Sequence, residues 1–219
     1  MAIINDTTTH LDAIMQTLHQ IIKVSSGIAL SKVSDYEAPA YEGGFKLIRP
    51  QDLAQSMLLT ARELAHVPYV TLTPTLKAKI KPEHYLQVND IVISARSTSY
   101  QVAMISTVPD KTRLLISNNM ICLRPKPDQP EAYAILVYLN SQWFREQVVK
   151  KEFPKMINIT VKWVKELAFN PPSPEVSRQL KKAVKQYDQL ALHNAKLMQC
   201  ASLRLESQLF DTNEEKPHG

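Results

Sequence analysis

Asn170-Pro171-Pro172-Ser173 is the segment whose residue types most directly suggest chemistry. A polar side chain, two prolines and an aromatic can hold the amino group of a flipped-out base. The polar group and a backbone carbonyl accept from the amine, and the aromatic ring stacks on the base. Here the fourth residue is Ser173, which cannot stack. The four glycines, Gly27, Gly43, Gly44 and Gly219, form neither G-x-G-x-x-G nor G-x-x-x-x-G-K-[ST], so no loop that cradles a phosphate-bearing cofactor is visible. A proline pair leading from a strand into a helix is the reading that fits. His10, His19, His66, His84, His193 and His218 show no metal-ligand spacing, and no nucleophile elbow accompanies any serine or cysteine. No catalytic residue, metal or cofactor is therefore expected.

Charge points elsewhere. The net charge is +5 and the acids Asp211, Glu214 and Glu215 are gathered in the tail, so the body is more basic than the total. Lys77, Lys79 and Lys81 alternate in one short segment. Such a balance suits a polyanionic partner. No apolar run approaches the ~20 residues of a membrane span, and Met1 to His10 lacks the basic-then-apolar order of a secretory signal. Cys122 and Cys200 are too few for a disulfide framework, so a reduced, cytoplasmic setting is expected.

The elements that must position these residues are strands first and helices later. Leu11, Ile14, Met15, Leu18, Ile21 and Ile22 predict an N-terminal helix over Leu11 to Val24. Strands are expected at Phe45 to Ile48, Met57 to Leu59, Asp90 to Ser94, Tyr100 to Ser106, Arg113 to Ile116 and Met120 to Leu123. Pro130 to Lys151 reads as helix, and a capped turn at Asn158 to Thr160 precedes Val161 to Leu167. The pattern is that of an α+β domain. Beyond Pro174, Leu180, Ala183, Val184, Tyr187, Leu190, Ala191, Asn194, Leu197, Met198, Ala201 and Leu205 recur with a mean period near 3.5 over about four heptads, the coiled-coil value. A helix of that length runs roughly 50 Å and predicts a partner helix, most simply in an antiparallel dimer. Asn194, in the middle of the seam, is either solvated or a register-setting contact.

Several segments, in order, resemble type I restriction–modification specificity subunits. Leu86 to Arg96 is similar to the family's L-x-x-G-D-I-L-x-S-x-R strand, and Ile121 to Pro125 to its strand ending in Arg-Pro. Tyr133 to Ser141 resembles the Y-L-x-x-x-L-N-S helix. Ile157 to Leu167 resembles the I-x-x-I-[ST]-x-x-x-L-x-x-L segment before the proline pair. Asn89 stands in place of the family's glycine, Ser97-Thr98 where a glycine is frequent, and Gln179 alone where Glu-Gln is usual. Asparagine tolerates the positive φ such a glycine supplies.

The resemblance implies a target-recognition domain with a mixed sheet and packed helices at 1–172. A long dimerisation helix at 173–210 and a disordered tail at 211–219 follow. It implies no catalysis by this chain, and partners in double-stranded DNA, a second copy through the helix, and an adenine methyltransferase subunit. For such a domain, Lys77, Lys79 and Lys81 suit phosphates, while base edges fall to Arg49, Gln51, Arg96, Ser97, Ser99, Tyr100, Gln101, Lys155, Asn158 and Thr160. The dimer seam falls to Leu180, Val184, Tyr187, Ala191, Asn194, Leu197, Met198, Ala201 and Leu205. The alternative is a coiled-coil protein–protein adaptor without DNA specificity. A DNA mimic is disfavoured because such proteins are acidic.

Overall fold

The computed structural model describes residues 16–29, 31, 33–38, 44–53, 56–127, 132–149 and 156–211, with backbone alone at 34–38, 199 and 202–211. Lys155, the start of the expected first helix and residues 212–219 of the expected tail lie outside them.

A five-stranded sheet forms the centre. Its strands are β2 (Ile22–Ser26), β5 (Leu58–Leu59), β7 (Ile91–Ser94), β9 (Val102–Ile105) and β11 (Met120–Pro125), in the order β2-β11-β7-β9-β5. All neighbours are antiparallel except β5, which runs parallel to β9. Strand periodicity explains why these runs are apolar throughout. Ile91, Ile93, Ile121, Leu123 and Met104 enter one core, while Val92, Cys122, Met120, Ala103 and Ile105 enter another on the opposite face.

Helices cover the first face: α1 (Leu18–Ile21), α4 (Ala132–Asn140), α5 (Gln142–Val149) and α6 (Val161–Glu166). A second sheet covers the other face. It comprises β3 (Val33–Ala38), β4 (Gly44–Ile48), β6 (Tyr69–Leu72) and β10 (Thr112–Ile116), in the order β10-β4-β6-β3. Ile48, Leu114 and Ile116 meet the central sheet, and Phe45, Leu47 and Leu115 build a third core behind. The Asn118-Asn119 turn passes the chain from one sheet to the other. Gly27 makes that crossing possible, because a Cβ there would lie 2.1 Å from the Ser117 carbonyl oxygen.

Two expectations need correction. Among the described residues the N-terminal helix is one turn, Leu18–Ile21, preceded by strand at Gln16–Thr17 and followed by strand at Ile22–Ser26. The apolar spacing satisfied both periods, and pairing with β11 (Val24 opposite Leu123) selects the extended form. The expected helix over Pro130 to Lys151 is two helices among its described residues. Ser141 separates them: its hydroxyl donates to the Tyr138 carbonyl at 2.7 Å and accepts from the Phe144 N–H at 3.2 Å, ending α4 and capping α5.

At one end of the central sheet, the Gln87–Asp90 turn is locked by charge. Asn89 has φ 72°, the conformation a glycine would otherwise supply. The Asp90 carboxylate is 1% exposed and accepts from the Gln87 N–H at 2.8 Å. It also takes both arms of the Arg124 guanidinium, from Nε at 2.7 Å and Nη2 at 2.6 Å. Nη2 donates as well to the Tyr85 carbonyl at 2.7 Å. Removing one partner of such a pair leaves a desolvated charge behind. Asp90→Ala should therefore lower stability by about 3–5 kcal/mol in urea unfolding. Asn89→Gly, which keeps the turn conformation accessible, should change it by less than ~1 kcal/mol.

Candidate nucleic-acid interface

At the other end of the sheet, two segments distant in sequence meet. β8 (Arg96–Ser97) pairs antiparallel with β12 (Ile157–Asn158), setting Arg96 opposite Asn158 and Ser97 opposite Ile157. The Ala95 and Arg96 N–H groups both donate to the Asn119 carbonyl, at 2.7 and 3.0 Å. This fixes the ladder against the Asn118-Asn119 turn. Ile159, 4% exposed, anchors the second strand in the core, and its N–H donates to the Ala95 carbonyl at 2.8 Å. Thr160 caps α6 by accepting from the Trp163 N–H.

The loop between β8 and β9 is held by serines. Ser94 Oγ donates to the Ser99 carbonyl and accepts from the Gln101 N–H, while Ser97 Oγ bonds both backbone groups of Ser99. The sequence-predicted Arg96, Ser99, Asn158 and Thr160 are exposed at this edge, and Ser97 is half-buried. Arg96 forms no ion pair with a described residue. Asn118 and Asn119 join the set. This Asn-Asn pair, between the strands expected at Arg113 to Ile116 and Met120 to Leu123, offers two amide side chains at a sheet end.

Tyr100 does not belong to that edge, contrary to expectation. Its ring is 9% exposed and packs 5.5 Å from the Phe144 ring. Burial raises its phenol pKa well above the usual value, so it stays neutral. Gln101 is half-buried and lines a small cleft with Arg145 and Tyr187.

The other predicted residues lie elsewhere. Lys77, Lys79 and Lys81 are exposed around α3 (Pro74–Lys77). Lys77 Nζ lies 6.0 Å over the Phe45 ring, and the Arg113 guanidinium lies 5.5 Å from Phe45 and 5.6 Å from Tyr85. Arg113 thus makes a second basic patch with Lys77, held by cation–π attraction. Lys46 belongs to neither patch; it is buried and donates to the Leu64 carbonyl at 2.7 Å. Arg49 is tied to Asp52, whose carboxylate also accepts from the Arg49 N–H. Gln51 lines a cleft of about 480 Å³ with Arg62, His66, Ala191 and Ala195.

That cleft lies against α7 (Pro174–Asp211). Ser173, the residue that spoils the base-stacking motif, starts this helix by accepting from the Val176 N–H at 3.3 Å, with Pro174 in the first turn. α7 presents two faces. Leu180 and Val184 (3% exposed) pack into the domain's own core, and Asp188 accepts from Ser56 Oγ at 2.6 Å. Ala191 is half-buried beside α2 (Ala61–Ala65). Leu180 and Val184, expected in the dimer seam, thus pack against their own domain. Tyr187, Leu190, Leu197 and Met198 are 54–69% exposed, with Asn194 and Ala201 exposed among them. Leu205 is described by its backbone alone.

Among the described residues, no helix is long and apolar enough to cross a membrane. No cluster of three or more His, Cys, Asp or Glu there could hold a metal ion. Burial pushes the Cys122 thiol pKa up, away from the reactive thiolate.

A two-sheet domain followed by one long helix is a fold with solved counterparts. The chain is similar to the HsdS subunit from Thermoanaerobacter tengcongensis, at 16% identity and TM-score 0.54, over 90% of this chain and 43% of that one. It is also similar to a structure from work on complex assembly and conformational transition of the type I R-M system, at 19% identity and TM-score 0.57, over 90% and 44%. The type IIG restriction endonuclease BpuSI matches at 10% identity and TM-score 0.57, over 80% of this chain and 26% of that one. The chain therefore has the fold of type I specificity subunits and spans less than half the length of these counterparts. No family model and no curated protein matches its sequence.

Tyr100 Oη is buried with no hydrogen-bond partner among the described residues. Tyr100→Phe removes that unpaired hydroxyl and should therefore raise stability, by about 1–3 kcal/mol, read as a higher urea midpoint.

Proposed function

We propose that this chain is a non-catalytic DNA-specificity subunit. It would direct a methyltransferase, a restriction complex or a related phage-defence complex to its target. The observation that carries this reading is the polar edge where the Arg96–Ser97 and Ile157–Asn158 strands pair beside Asn118-Asn119. Forked and amide side chains are the groups that read base edges in the major groove, and a rigid strand ladder holds them in register. The lysines near α3 and Arg113 would contribute phosphate contacts, which position the duplex without reading it.

The exposed stripe Tyr187, Leu190, Leu197 and Met198 supports self-association. Unpaired apolar surface of this kind on one helix side marks an interaction site. Two copies related by a two-fold axis would carry two identical reading edges and recognise inverted half-sites. An adenine methyltransferase subunit would be the catalytic partner, and the complex would act in the cytoplasm. The same stripe would serve a protein adaptor, and DNA binding separates the two readings.

Binding to a selected duplex and to random duplex across a salt series tests the proposal. Arg96→Ala and Asn158→Ala should each cost about 1–3 kcal/mol on the selected duplex and little on the random one. Lys77→Ala should weaken both alike and reduce the salt slope by about one. Wild-type protein that binds no duplex at low salt would leave the adaptor reading.

A further inference from the structure

A cleft of about 730 Å³ opens between the Gln87–Asn89 turn, the Arg124–Pro127 end of β11 and the first turns of α7. It lies at the end of the central sheet away from Arg96. Its surface is basic. Arg124 is neutralised by Asp90, but Lys126, Arg178 and Lys181 also line it. Among the described residues, Glu175 is the one carboxylate paired with any of these three, bonding Arg178. Lys126 Nζ donates to the Gln20 carbonyl, and Lys181 Nζ lies 5.6 Å over the Tyr133 ring.

Charge is uneven along α7 and the sequence that follows it. Residues 178–185 hold Arg178, Lys181, Lys182 and Lys185 and no acid. Residues 206–215 hold Glu206, Asp211, Glu214 and Glu215 and no base.

We propose that this basic cleft receives the acidic 206–215 segment of a second copy, whose α7 runs antiparallel to the first. The inference rests on the dimer reading above. The chain's own segment cannot fill the cleft. Arg178 and Asp211 are roughly 50 Å apart along a continuous helix, and the four residues from Asp211 to Glu215 extend at most ~14 Å. A second copy reaches it. The exposed stretch from Tyr187 to Ala201 is centred on Asn194, from which Asp211 and Ser177 are equally distant, about 25 Å each way. An antiparallel pair about that centre lays the acidic end of one helix along the basic start of the other. A parallel pair would set bases beside bases and acids beside acids. Exposed pairs of this kind add modest affinity but strongly disfavour the wrong orientation.

Sedimentation equilibrium of the full chain across a salt series tests this. The acid reversal is Glu206→Lys, Asp211→Lys, Glu214→Lys and Glu215→Lys; the base reversal is Lys126→Glu, Arg178→Glu and Lys181→Glu. Each reversal alone should raise the dimer dissociation constant by roughly ten-fold or more at low salt. Both reversals in one chain should restore it, and that restored dimer also shows the variants fold. Replacing the four acids by Gln or Asn should give a smaller rise and flatten the salt dependence. A wild-type dimer that neither reversal weakens would overturn the cleft assignment while leaving dimerisation standing. A wild-type monomer at micromolar concentration would overturn both.

Discussion

The contact between Asp90 and Arg124 is the constraint on which the rest of the arrangement hangs. A carboxylate 1% exposed is tolerable only when its lone pairs are filled. Asp90 fills them with both arms of one guanidinium and a backbone N–H from its own turn. The bond fastens β7 to β11 across the sheet, and Arg124 extends the tie to the Tyr85 and Glu83 carbonyls. The register of β7 against β11 decides where the loop after β7 emerges. That loop carries Arg96, so the buried ion pair at one end of the strands sets the position of the exposed cation at the other.

The two ends of the central sheet consequently differ in kind. At one end, backbone carbonyls and serine hydroxyls hold a short ladder whose side chains remain exposed. At the other, a basic cleft faces the start of α7. The helix is joined to the domain by Leu180, Val184 and the Ser56–Asp188 hydrogen bond, so it is fixed in direction relative to the edge that carries Arg96 and Asn158.

The apolar residues of α7 illustrate a limit of periodicity. A period near 3.5 shows that a helix has an apolar seam, and it cannot show how wide the seam is or how many neighbours share it. Here Leu180 and Val184 face the parent domain while Tyr187, Leu190, Leu197 and Met198 face outward. One pattern in the sequence covers two surfaces with different partners.

Much was legible from local rules. β-branched runs between turn residues marked β7, β9, β10 and β11, and the absence of glycine and proline from Glu175 to Phe210 marked α7. The ordered motifs from Leu86 to Leu167 pointed to the fold the solved counterparts share. Asn89 could be read as a residue fit for positive φ. What the sequence could not decide were the questions settled by distant pairing. Ile22–Ser26 became a strand because β11 offered a free edge. Tyr100 turned inward because Phe144 left room beside it. Arg96 met Asn158 through a ladder between segments roughly 60 residues apart. Local propensity is a property of neighbours along the chain, whereas these outcomes depend on which buried surfaces and unpaired backbone groups the rest of the fold leaves available.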